Sequence, residues 1–310
     1  METGSRPTTK RKPAIEREHF VTNDGTKIVV AHFHTPAAEK GILLIPPLIG
    51  GSFILFGRQF SYLVKQGYRV VSFNYRGHDK SEGKFSLKSS FDDTRELARR
   101  LKTRHPHLPL IGIGTCSGSM PLFHILNSEP DLLDRLVFVN AIYHLQQTAT
   151  PAGALKIYWQ ERGVSWPESS GDLAYVILDH LFPEIDKGPD HFGIMTFERV
   201  AMGRIAREYI LHNRPKISFC SSKPALCLYG RGDELLELDK LENETDYRAQ
   251  FEKRFPNVTF DSFQADHFMS GIKEDVAKTI HRFIETATLT VSTQVRKFVT
   301  ANPAEVLRNE

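Results

Sequence analysis

Short apolar runs alternate with longer amphipathic ones along most of the chain, the pattern of strands interleaved with helices. Residues 41–45 (Gly-Ile-Leu-Leu-Ile) are continuously apolar and stop at Pro46-Pro47, as a strand buried on both faces would. Residues 68–75, 108–113, 135–140, 224–229 and 258–263 read as further strands. Between them, residues 52–65, 91–104, the stretch from Met120, residues 235–255 and residues 275–286 read as helices. Gly67 closes the first of these helices, and Asp92 and Asp93 favour the start of the second through the helix dipole. Ahead of all of them, residues 17–23 and 26–34 flank Asp24-Gly25, a hairpin signal. The order predicts an α/β chain with a mostly parallel, doubly wound sheet that opens with an antiparallel hairpin.

The rhythm breaks between Ala141 and Lys223, where aromatic residues and helical spacing occur without a strand signal. A structureless loop of that length does not suit a compact domain. We read it as an inserted helical cap at about 142–222, over the C-terminal ends of the strands, where such sheets carry their sites. Tyr158, Trp159, Trp166, Phe182 and Phe192 are its candidate lining for an apolar pocket; sealing the cap onto the sheet is the equal alternative. Residues 1–15, polar and carrying Lys10-Arg11-Lys12, are expected to be a disordered lead-in. The main domain then covers 16–288, and 289–310 form a tail without an assigned structure.

Composition narrows the class. The 310 residues are 40% hydrophobic and 25% charged, as in a soluble globular protein with a sizeable core. A net charge of +3, spread along the chain, gives no reason to expect a nucleic-acid partner. No stretch approaches the roughly 18 apolar residues of a membrane span, and no apolar signal region follows Met1. Cys116, Cys220 and Cys227 cannot all pair and lack metal-ligand spacing, which fits a reducing, cytoplasmic setting. On that reading the sequons at Asn243 and Asn257 are chance matches, and no metal or organic cofactor is implied.

The chemistry gathers at the ends of the expected strands. Gly114-Thr115-Cys116-Ser117-Gly118 lies between a strand-like and a helix-like run. A nucleophile on so sharp a turn needs small residues two positions either side, and Gly114 and Gly118 supply them. The following N–H, that of Ser117, points toward a developing oxyanion, and Leu48 is the nearest second donor, since Pro46 and Pro47 have no N–H. Asp233 follows one strand in Tyr229-Gly230-Arg231-Gly232-Asp233, and His267 follows the last in Ala265-Asp266-His267-Phe268. A thiol nucleophile needs a base and the base an orienting acid, so Cys116, His267 and Asp233 form a candidate triad. Ser117 is the weaker nucleophile, because its frame puts Thr115 and Ser119 where glycines are wanted. Asp239 and Asp266 are weaker acids, and His78, His105 and His107 are expected at the surface.

With these motifs the chain resembles the α/β-hydrolase superfamily over residues 17–288. Residues 62–81, Tyr62-Leu63-Val64-Lys65-Gln66-Gly67-Tyr68 through Asn74-Tyr75-Arg76-Gly77-His78-Asp79-Lys80-Ser81, are similar to its helix–strand–loop segment, with Asn74 and Asp79 departing from its usual Asp and Gly. Length and cap placement resemble the acyl-carrier-protein acyltransferase/thioesterase family of bacterial bioluminescence, which uses a serine. The G-x-C-x-G elbow is similar to that of dienelactone hydrolases, polyhydroxyalkanoate synthases and the cysteine aminoacyl shuttles of nonribosomal peptide assembly. The resemblance implies an acyltransferase or thioesterase that forms an acyl-Cys116 intermediate from an acyl or aminoacyl thioester, carried by an acyl or peptidyl carrier protein or by CoA. Exchange between thioesters is nearly isoenergetic, whereas a serine ester would lie downhill and trap the acyl group. Hydrolysis of esters, lactones or thioesters is the alternative, and a non-catalytic binding protein on the same fold is the third.

Overall fold

The computed structural model describes residues 14–35, 39–48, 53, 59–78, 80–142, 219–233 and 236–300, with the backbone alone for 287–300. The expected cap, apart from its margins, lies outside the described residues, and so do Tyr158, Trp159, Trp166, Phe182 and Phe192.

The strands are β1 (Ala14–Val21), β2 (Lys27–His34), β3 (Gly41–Ile45), β4 (Tyr68–Phe73), β5 (Leu110–Thr115), β6 (Arg135–Val139), β7 (Ala225–Gly230) and β8 (Val258–Phe263). They form one sheet in the order β1-β2-β4-β3-β5-β6-β7-β8. β2 pairs antiparallel with β1 and β4, and every later pairing is parallel. This is the α/β-hydrolase fold, with the hairpin first and a parallel sheet after it. β1 starts at Ala14, paired with His34, so the hairpin takes in the last residues expected in the lead-in.

Five helices accompany the strands among the described residues: α1 (Ser61–Lys65), α2 (Leu87–Arg104), α3 (Ser119–Ser128), α4 (Leu241–Glu252) and α5 (Lys273–Thr300). α2 begins four residues ahead of the expected start. Its cap is a reciprocal pair: the Ser89 N–H donates to Ser86 Oγ at 3.0 Å, and the Ser86 N–H donates to Ser89 Oγ at 3.0 Å. Serines satisfy the orphan N–H groups of a first turn better than the following aspartates could. α5 runs on to Thr300, well into the stretch that had no assigned structure.

Alternate side chains along the parallel strands divide the core in two. Leu136, Phe138, Cys227 and Tyr229 face α2, α3 and α4, meeting Leu97, Leu122, Phe123 and Phe251. Leu43, Ile113, Val137 and Leu228 face α1 and α5, meeting Leu63, Val276 and Ile280. Each fully buried side chain of this size contributes about 1.5–3 kcal/mol. At the other end of the sheet, Tyr68 Oη donates to Glu285 at 2.9 Å, and Arg135 Nη1 donates to the Ile284 carbonyl at 3.2 Å. These bonds tie α5 to the strands' N-terminal ends and leave the C-terminal ends for loops.

His78 is 1% exposed and corrects the expectation of a surface position. Its ring packs on Tyr75 and Phe85, and Nδ1–H donates to the Arg76 carbonyl oxygen at 3.1 Å. Burial pushes its pKa down from 6.5 to about 4. The unfolded chain therefore binds the proton more readily, and stability is lost as pH falls from about 6.5 through 4. Between those limits the native chain should lose about 3 kcal/mol more stability in urea melts than His78→Gln does. Parallel curves would contradict a neutral buried imidazole.

Candidate active site

β5 delivers its last residue, Thr115, directly into a left-handed turn at Cys116, where φ is 52°. A single tight turn, Cys116–Gly118, then leads into α3. A non-glycine residue in this conformation costs on the order of 1–3 kcal/mol and needs support from its surroundings. The Cys116 carbonyl provides two anchors: it accepts from Ile142 N–H at 3.2 Å and from Ser119 Oγ. Glycines are required on both sides. A Cβ on Gly114 would stand 2.5 Å from Ser119 Cα, and one on Gly118 would collide with the Pro46 carbonyl oxygen. The left-handed residue is Cys116 and not Ser117, which favours the cysteine frame of the elbow.

The close approach at Gly118 places Pro46–Leu48 against the elbow. The two N–H groups expected to serve an oxyanion, those of Ser117 and Leu48, therefore belong to adjoining segments.

His267 and Asp233 meet as the strand order requires. Nδ1–H of His267 donates to Asp233 Oδ2 at 2.7 Å, with the two residues 5% and 1% exposed. Asp233 Oδ1 accepts from Leu236 N–H at 2.9 Å, so the carboxylate is held at both oxygens. The acid loop hangs on the histidine loop: Arg231 N–H donates to Phe263 O at 2.8 Å and Gly232 N–H to Ala265 O at 3.0 Å. Burial disfavours the imidazolium, but the Cys116 sulfur and the Asp233 carboxylate outweigh it, and His267 is raised to about 10. Nε2 is buried without a partner at ordinary hydrogen-bond geometry. Contacts between such a base and its nucleophile are often long before a substrate closes them. The two partners thus favour the charged form of the ring.

The weaker candidates take other roles. Asp266 Oδ1 accepts from Phe268 N–H at 3.0 Å and Ser270 N–H at 2.9 Å, which builds the turn after His267. Asp239 is exposed. Asn140, at the end of β6, was not singled out in the sequence, yet it is 0% exposed and bonds to the backbone of both the acid and the histidine loops. The one signal it left is an Asn closing an apolar strand, a residue type that tolerates left-handed turns. No group of three or more His, Cys, Asp or Glu side chains that could hold a metal occurs among the described residues. No helix among them is long and apolar enough to cross a membrane.

Residues 39–240 match the family described as Serine aminopeptidase, S33, a group of α/β-hydrolases. The chain belongs to this family. Its elbow carries Cys116 where the family description names a serine. No curated protein matches the sequence. Solved structures do. A hydrolase from Pseudomonas aeruginosa is 17% identical, with 86% of this chain and 98% of that chain covered at a TM-score of 0.63. An esterase of Pyrococcus furiosus is 17% identical over 88% of this chain and 91% of its own, at 0.61. A Vigna radiata epoxide hydrolase mutant is 16% identical over 88% and 99%, at 0.63. At these identities the likeness establishes the fold, and the match over residues 39–240 places the chain among the α/β-hydrolases.

If His267 activates Cys116, His267→Gln should slow iodoacetamide alkylation of Cys116 at pH 7 by roughly 10-fold or more. Peptide mass spectrometry separates Cys116 from Cys220 and Cys227. An unchanged rate would break the link between the two residues.

Proposed function

We propose that this α/β-hydrolase is an acyltransferase or thioesterase working through an acyl-Cys116 intermediate. The observation that carries the reading is a cysteine at the left-handed elbow position beside a buried histidine whose Nδ1–H is held by Asp233. The Cys116 thiolate attacks the carbonyl carbon of an acyl or aminoacyl thioester, forming a C–S bond while the carbonyl oxygen takes the negative charge. Ser117 and Leu48 N–H groups stabilise that oxyanion. The tetrahedral adduct collapses, the original C–S bond breaks, and His267 gives its proton to the departing thiolate. A second thiol, amine or alcohol then enters, gives its proton to His267 and leaves with the acyl group, which restores the Cys116 thiolate. Asp233 keeps Nδ1–H in place, so Nε2 is the atom that gives and takes protons.

The thiolate also suits the energetics. Loading from a thioester and discharge to another thiol each exchange one thioester for another, so neither direction is trapped. A carrier-protein or CoA thioester is the matching substrate class. Hydrolysis of esters or thioesters is the second reading, favoured by the structural relatives named as hydrolase and esterase. A non-catalytic binding role is the weakest, because it leaves the buried His267–Asp233 pair without a purpose.

Intact-protein mass spectrometry after mixing with butyryl-pantetheine should show a butyryl adduct. Adding free pantetheine should clear it at least about 10-fold faster than buffer alone, the factor that about 1.4 kcal/mol of barrier represents. Clearance at the same rate with and without the acceptor thiol would identify water as the acceptor and overturn the transfer reading.

A further inference from the structure

Asn140 follows β6 with φ at 44°, a left-handed turn that asparagine accepts more readily than most residues. It is 0% exposed. Its Oδ1 accepts from Gly230 N–H at 2.8 Å. Its Nδ2 donates to the His267 carbonyl at 2.7 Å and to the Asp266 carbonyl at 3.3 Å. The orientation of the carboxamide follows from its partners: an N–H must face Oδ1, and carbonyl oxygens must face Nδ2. The Asn140 N–H continues the sheet by donating to Leu228 O at 2.9 Å.

These partners stand in informative places. Gly230 is the last residue of β7, three positions before Asp233, and the other principal partner is the backbone of His267 itself. One short, buried side chain therefore ties the base of the acid loop to the main chain of the histidine. Removing it leaves a buried N–H and a buried carbonyl unpaired, which frees the two loops to shift against each other. The His267–Asp233 bond is only as well placed as those two loops.

We propose that Asn140 is a positioning residue for the His267–Asp233 pair, acting by clamping the two loops that carry them. The inference rests on the reading of His267 and Asp233 as the general base and its orienting acid. Two substitutions probe it while tolerating the left-handed turn. Asn140→Gly removes the clamp, and Asn140→Asp can still accept from Gly230 but cannot donate to His267. Turnover of p-nitrophenyl butyrate, at a temperature well below each variant's melting point, should fall about 10- to 100-fold in kcat with KM within about 2-fold, as for a misplacement on the order of 1 Å. The low-field proton resonance of His267 Nδ1–H, identified by its loss in His267→Gln, should shift or broaden in both variants.

Native-like kcat together with an unmoved Nδ1–H resonance in Asn140→Gly would overturn the proposal, even if the variant melts at a lower temperature. Turnover that survives Cys116→Ala would instead strike the assignment of the nucleophile. The resonance does not pass through Cys116, so the two failures are told apart. If Asn140→Asp does not fold, Asn140→Gly carries the test, because glycine adopts the same turn without strain.

Discussion

A left-handed turn at Cys116 is the constraint on which the site depends. The residue stands at φ 52° between β5 and α3, a conformation that costs energy unless its neighbours enforce it. They enforce it from three sides. α3 crowds Gly114 through Ser119, the Pro46 carbonyl presses on Gly118, and Ile142 holds the Cys116 carbonyl. The turn sets Cys116, itself 7% exposed, at the end of the strand and starts a helix right behind it. Strain here is a consequence of where the side chain must point.

The sheet supplies what the turn cannot. Parallel pairing from β3 to β8 puts the loops after β5, β7 and β8 at one edge. β6, lying between β5 and β7, is followed by Asn140 and Ile142, and these reach the histidine loop and the elbow respectively. A buried carboxylate and imidazole are costly to desolvate and are tolerated only when paired and hydrogen-bonded. Asp233 meets that condition with His267 at one oxygen and Leu236 N–H at the other. The opposite end of the sheet is closed by Tyr68, Arg135 and α5, so chemistry and anchoring occupy separate ends of the molecule.

Sequence pattern carried the architecture well because both signals it uses are strong. β3 and β8 keep their expected bounds, the first an apolar run stopped at Pro46 and the second an alternation of apolar and polar residues that ends at the polar turn after Phe263. Helix starts were less legible: α2 begins with a Ser86–Ser89 cap, whereas the acidic pair at Asp92 and Asp93 was the more visible signal. Asp93 in fact turns inward, where it binds Arg76 in a buried ion pair. His78 was expected at the surface and Asn140 was not singled out, for a related reason. Both are polar residues in loops, and only the tertiary fold shows that Tyr75 and Phe85 bury the first and that the loops carrying Asp233 and His267 enclose the second. Cys116, Asp233 and His267 stood out as candidates because each stands just after a recognisable strand, and the structure places each at the C-terminal end of one.

The proposed passage of acyl groups between thiols stands or falls on Cys116 being the attacking residue. Peptide mass spectrometry of the protein quenched during turnover of p-nitrophenyl butyrate tests this most directly. The butyryl group should be found on Cys116, with none in Cys116→Ala and normal labelling in Ser117→Ala. Label on Ser117, or undiminished turnover by Cys116→Ala, would contradict the account.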